Sequence, residues 1–202
     1  MRPRIYSLTN ARMPWGDYGN ILAQGMLASQ AGHRLIQIER TGPFVPPISF
    51  PSGCALVVTA TTKARLQKSS LTGFRFLRAN KQRIVELRWE DWDQTQDRPP
   101  RIPLGGEPEN YILRGRHSES LSKEMGELFE LRPRCRLPWV RCGVELKWGS
   151  EWPILRPSFH HWRGDDFFYG ERGSTIFVTT RAKSWLARAA REWVHFEPAQ
   201  WG

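Results

Sequence analysis

The sequence is short of the features that most function classes need. Its three cysteines, Cys54, Cys135 and Cys142, are an odd number at irregular spacing, which excludes a disulfide framework. Six residues separate Cys135 from Cys142, and that is not the C-x₂₋₄-C of a zinc knuckle, so each thiol is expected to be free and buried. Long apolar runs are also missing. The most apolar early stretch, Ile21 to Ser29, is interrupted by Gln24 and Gly25 and is far too short to span a bilayer. No charged segment followed by an apolar one opens the chain. These absences predict a protein of a reducing cytoplasm with no membrane insertion. G-x-x-x-x-G-K, G-x-G-x-x-G, G-x-S-x-G and H-E-x-x-H are all absent, so phosphate-loop, dinucleotide, serine-hydrolase and zincin chemistry lack their usual marks. Acidic residues are scarce relative to basic ones, 20 against 30, and the net charge of +10 favours an acidic partner: nucleic acid, a membrane surface or a protein.

What is abundant is tryptophan, with ten in 202 residues. Indoles dominate core and interface energetics, and their N–H groups need partners when buried. With 40% hydrophobic and 25% charged residues, the chain has the composition of a globular protein and not of a disordered or fibrous one.

The chain also repeats itself. Residues 53–79 and 173–199, overlaid at a constant offset of 120, match at Gly53/Gly173, Val58/Val178, Thr59/Thr179, Lys63/Lys183, Leu66/Leu186, Phe76/Phe196 and Ala79/Ala199. Chance would give roughly two matches. Each copy reads as strand, helix, strand. Leu56 to Val58 and Ile176 to Val178 are short apolar runs suited to buried strands, and Thr59 and Thr179 stand where a helix N-cap belongs. In the second copy Ala182, Trp185, Leu186, Ala189 and Trp193 form an apolar helical face, opposed by Arg181, Ser184, Arg188 and Arg191. In the first copy Gly73 is expected to end the helix before Phe74 and Phe76 alternate into a strand. Val85, Leu87 and Trp89 alternate as another strand, and Ser118 to Leu131 has helical spacing with Ser120 as its cap.

Two Pro/Gly-rich segments, Arg40 to Gly53 and Asp97 to Pro108, read as an extended surface segment and a linker. The expected fold class is therefore α+β, two similar strand-helix-strand units with Pro/Gly-rich connecting loops. An N-terminal lobe, 1–100, holds the first copy and a C-terminal lobe, 101–202, the second, or the two merge into one compact domain.

Three groups of residues compete for a functional role. His160, His161, Asp165 and Asp166 crowd into seven residues, but neighbouring histidines diverge and no ligand spacing is present. A turn leading into Phe167 and Phe168 as core anchors is the better account, with no catalytic residue and no metal. Basic side chains interleaved with aromatics, Lys63 to Arg88 and Arg132 to Arg141, would suit single-stranded nucleic acid, though no groove-reading motif accompanies them. Acidic-aromatic segments suit a protein partner: Trp89, Asp91 and Trp92 in the middle and Trp15 and Asp17 near the start pair large anchors with a charged rim. These five are the predicted binding residues.

The second half resembles a known group. The order L-P-W-V-R-C-G (Leu137 to Gly143), W-P-I-L (Trp152 to Leu155), D-D-F-F (Asp165 to Phe168), I-F-V-T-T-R-A (Ile176 to Ala182) and V-H-F-E-P (Val194 to Pro198) resembles the double-CXXCG motif proteins of myxobacteria. It is similar too to immunity proteins of bacterial polymorphic toxin systems. Of one C-x-x-C-G this chain keeps Cys142 and Gly143, with Trp139 at the first ligand position; the other C-x-x-C-G is absent. The resemblance implies a small non-enzymatic protein that neutralises a cognate toxin by direct binding, and Trp139 implies that no zinc or other cofactor is held. The alternative is a basic protein associated with nucleic acid.

Overall fold

A computed structural model describes residues 2–28, 34–171 and 175–202. Gly173, one member of the first matched pair, lies outside them. The first half runs β1 (Ile5–Asn10), α1 (Asp17–Gln24), β2 (Met26–Leu27), β3 (Gln37–Gly42), β4 (Ile48–Ser49), β5 (Leu56–Thr59), α2 (Ala60–Gln67), β6 (Phe74–Arg78) and β7 (Asn80–Glu86). After a long loop come α3 (Glu109–Arg114), α4 (Glu119–Glu124), β8 (Leu128–Pro133), β9 (Arg136–Leu137), β10 (Trp139–Lys147) and β11 (Ser150–Pro157). The chain closes with β12 (Phe167–Gly170), β13 (Ile176–Thr179), α5 (Thr180–Ala190) and β14 (Val194–Ala199). This is a mixed α+β protein of several small sheets.

Two sheets carry the repeated segments. One is ordered β4-β5-β8-β6 and the other β14-β1-β13-β12-β9. In the first, β5 and β6 both run antiparallel to β8, which lies between them; in the second, β13 and β14 flank β1 in the same way. A helix that returns the chain in its original direction leaves parallel strands, and here each pair is parted by an antiparallel one. The registers follow one pattern. Val58 faces Phe129 and Val178 faces Tyr6; Phe76 faces Leu131 and Phe196 faces Leu8. The expected division near residue 100 does not coincide with these sheets, because β1 sits in the second and β8 in the first.

The two sheets close on one core. Leu56, Val58, Leu66 and Leu131 meet Leu8, Ile176, Val178 and Leu186, all buried. Each such side chain contributes roughly 1.5–3 kcal/mol by leaving water. Above each sheet a lysine covers an aromatic ring: Lys63 Nζ lies 3.7 Å from the Phe129 centroid and Lys183 Nζ 3.8 Å from that of Tyr6.

Both threonine caps form: Thr59 Oγ1 accepts from Thr62 N–H at 3.3 Å and Thr179 Oγ1 from Ala182 N–H at 3.4 Å. Several expectations need correction. Helix α2 ends at Gln67, where Ser69 donates to the Leu66 carbonyl at 2.6 Å. Gly73 serves instead as a close approach: its φ is +89°, and a Cβ there would stand 2.6 Å from the Phe167 carbonyl oxygen. Ser118, not Ser120, caps α4, and Gly126 at φ +74° ends that segment so that Leu128 and Phe129 enter a strand. The core face of α5 is Ala182, Leu186 and Ala190, a four-residue spacing that leaves Trp185 half-buried, with Arg65 over its ring at 5.6 Å. Cys54 and Cys142 are exposed and Cys135 half-buried; all three are free, but none is a core residue.

Candidate protein-binding surface

The structure gathers the five predicted binding residues around α1 but does not expose them equally. Trp89 is 3% exposed and packs with Leu22 and Ala23 under α1, edge-on to Phe44 at 5.7 Å. It is a core residue and leaves no surface for a partner, a correction to its predicted role. The strand through Val85, Leu87 and Trp89 stops at Glu86, so Trp89 turns inward on a short helical turn. Trp15 and Trp92, 77 positions apart, lie 5.7 Å from each other, both half-buried, and Trp15 Nε1 donates to the Gln96 carbonyl at 3.1 Å. Asp17 and Asp91 are exposed. Beside Trp15, Tyr18 and Ile21 a cleft of about 520 Å³ carries Asp17, Glu107 and Glu109, an acidic patch on a basic protein. Arg40 is fully buried against α1, donating from Nη2 to the Ala23 carbonyl at 2.7 Å; burial pushes its pKa down to about 10, opposed by Glu90.

The His/Asp group is structural on its aspartate side. Asp166, 2% exposed, accepts from Thr72 N–H at 2.9 Å, from the Thr179 hydroxyl at 2.6 Å and from Arg181 Nε at 3.1 Å, with Arg181 Nη2 also paired to it. It ties the turn after α2 to the start of α5. Burial opposes its charge, but hydrogen bonds from Arg181, Thr179 and Thr72 outweigh it and hold the carboxyl below its usual 3.8. Phe167 and Phe168 are core anchors as expected, at 0% exposure. His160 and His161 are exposed, and His161 Nδ1 meets the Ser158 hydroxyl at 2.9 Å. Among the described residues no three His, Cys, Asp or Glu side chains converge as a metal site would require.

The surface that stands out was not among the predicted residues. Strands β10 and β11 pair only with each other, from Trp139 opposite Pro157 to Lys147 opposite Ser150. Six of the nine exposed large apolar side chains among the described residues lie on this hairpin: Val140, Val144, Leu146, Trp148, Trp152 and Leu155. Leu146 is 78% and Trp148 89% exposed. Scattered apolar residues on a surface are ordinary, but their concentration on one hairpin, with Val144 and Leu146 on one side and Trp152 on the other, suits an interaction site. Trp148 and Gly149 form the turn at φ 51° and 77°, the two-residue conformation that follows strand twist. A tryptophan at positive φ costs of order 1 kcal/mol. Its ring meets that of Trp152 edge-on at 6.2 Å. The base is anchored: Trp139 stands edge-on to Phe177 at 5.9 Å, and a Cβ on Gly170 would meet its ring at 2.3 Å.

The alternation of Val144 and Leu146 with Glu145 and Lys147 was available as a strand signal. Nothing in that pattern says that no second layer covers it.

No family model, curated protein or solved structure matches the chain.

Proposed function

We propose that this chain is a non-catalytic binding protein of the immunity type, which neutralises an acidic bacterial toxin by direct contact through the β10–β11 hairpin. The observation that carries this is the set of exposed Val144, Leu146, Trp148 and Trp152 on a hairpin that the rest of the molecule leaves uncovered. Tryptophans of this kind are enriched among residues that dominate interfaces. The net charge of +10 selects an acidic partner and works against self-association. Action in the bacterial cytoplasm belongs to the same proposal; among the described residues, no helix is long and apolar enough to cross a membrane.

Nucleic-acid binding is the weaker alternative, because many of the basic side chains that suggested it are already engaged. Lys63 covers a ring, Lys81 donates to the Gly126 carbonyl at 2.8 Å, Arg132 holds Glu130 through bonds of 2.8 and 2.6 Å, and Arg78 meets Glu127 at 3.0 Å. We also infer that the two strand-helix-strand units are copies of one ancestral unit. The shared strand register and the paired Lys63/Phe129 and Lys183/Tyr6 contacts support it.

Affinity capture from the native host, with wild type and a Leu146→Asp/Trp148→Asp variant, tests the function. The expected result is an acidic protein retained only by wild type, which forms a defined complex once purified and whose toxicity co-expression relieves. Equal capture by both proteins overturns the hairpin as the binding surface.

A further inference from the structure

We infer that the hairpin receives its partner as an added β-strand along the outer edge of β10, a deepening that rests on the protein-binding role proposed for this hairpin. The turn has two residues, so Lys147 and Ser150 form the hydrogen-bonded pair that closes it. Alternation from that pair turns the backbone groups of Leu146 and Val144 outward on β10, and those of Glu151 and Pro153 outward on β11. Pro153 has no N–H to offer, so the β11 edge is blunted as natural sheets blunt edges that must not pair. Nearer the base, the Pro157 carbonyl already accepts from Gly202 N–H at 3.0 Å. Strand β10 contains no proline and offers both donors and acceptors beside Val144 and Leu146.

The occupant is an extended segment of an acidic protein in which apolar and acidic residues alternate. Directly opposed residues share a face, so Val144 and Leu146 lie on one side of the hairpin while Lys147 and Trp152 lie on the other. An added strand lays its apolar side chains beside Val144 and Leu146 and sets a carboxylate against Lys147, where it competes with Glu145, which lies on the same face and pairs with Lys147 at 2.7 Å. A second copy of this chain fits badly: two partners of +10 repel, and Glu145 and Glu151 are outnumbered by Arg141, Lys147 and Arg156 on the same hairpin. Strand addition draws affinity from main-chain hydrogen bonds and selectivity from alternate side chains, which matches one open edge flanked by exposed apolar groups.

The probe is an end-blocked peptide of about ten residues alternating valine and glutamate, long enough to cover one strand. It is titrated against the full chain by tryptophan emission, with Trp148 and Trp152 as reporters. Wild type is expected to bind it, and a twin N-methylated on alternate amides is expected to bind about tenfold more weakly or not at all, the effect of losing a main-chain hydrogen bond. Leu146→Pro and Glu151→Pro place proline in the same non-hydrogen-bonded pair, so each leaves the hairpin's own bonds intact. Leu146→Pro is expected to lose the peptide and Glu151→Pro to keep it, with Leu146→Ala measuring the side chain alone. No binding by wild type, equal binding of the methylated twin, or equal effects of the two prolines overturns strand addition. Of these outcomes none touches the proposed function, which fails separately if the face variant captures the native partner as well as wild type does. Concentration-dependent dimerisation that competes with the peptide would replace the acidic partner by a second copy and also overturn the inference.

Discussion

The core and the hairpin use the same apolar residue types and give them opposite fates. Leu186 on α5 is 0% exposed and Leu146 on β10 is 78% exposed. The difference lies in what stands opposite. The buried side chains of α5 pack on the face of Leu8, Ile176 and Val178, which also meets Leu56, Val58 and Leu131 of the other sheet, so each has a layer to meet. The hairpin has no second layer; an isolated two-stranded ribbon is marginal in water, and this one is held by Trp139 at its base and by a turn that suits its twist. Core positions are thus held by folding, whereas beyond Trp139 the exposed Val144, Leu146 and Trp148 have no second layer to meet, which is why the binding function is proposed for this hairpin.

Substitutions should separate the two regions by the quantity they change. Leu186→Ala should lower unfolding free energy by about 3 kcal/mol, within the range for buried leucines, measured by urea denaturation. Asp166→Ala should cost about 2 kcal/mol, because it strips a buried carboxylate from the Thr72 N–H, the Thr179 hydroxyl and Arg181. The same carboxyl has its folded pKa held below 3.8, so its contribution is present above the unfolded value and is lost as pH falls through the folded one. Acid titration of stability should therefore be shallower in Asp166→Asn than in wild type below about pH 4. An unchanged acid limb would mean that Asp166 is not the clamp between the turn after α2 and the start of α5. Trp185→Ala should cost about 2 kcal/mol or less, below the full value for a buried aromatic, since its ring is half-buried. Leu146→Asp should shift stability by under about 0.5 kcal/mol. A loss as large as that of Leu186→Ala would show the hairpin to be part of the core and break the comparison.

The secondary structure of the repeated segments was legible from local chemistry. Threonine caps, β-branched runs and the Phe74/Phe76 alternation act over a few residues, and each formed as expected. What was missed depended on distant chain. The helix after Thr59 stops at Gln67, and Gly73, read as its end, lies instead against Phe167 from the far half of the chain. The helix after Ser118 yields to β8 because β5 and β6 need a strand between them. Trp89 and Trp92 look alike in sequence, yet α1 covers the first, and Asp166 is fixed by Thr72, 94 positions away. The hairpin's alternation was visible, but its exposure was not, because a pattern with one apolar face looks the same whether or not another layer meets it.

The central claim is that the exposed hairpin is where a partner binds. Calorimetric titration of the captured acidic protein with wild type and with Leu146→Asp/Trp148→Asp tests it most directly. The account predicts affinity lower by about a hundredfold or more, as for the loss of an interface hot spot, with the melting temperature unchanged. Equal affinity for the two proteins would contradict it.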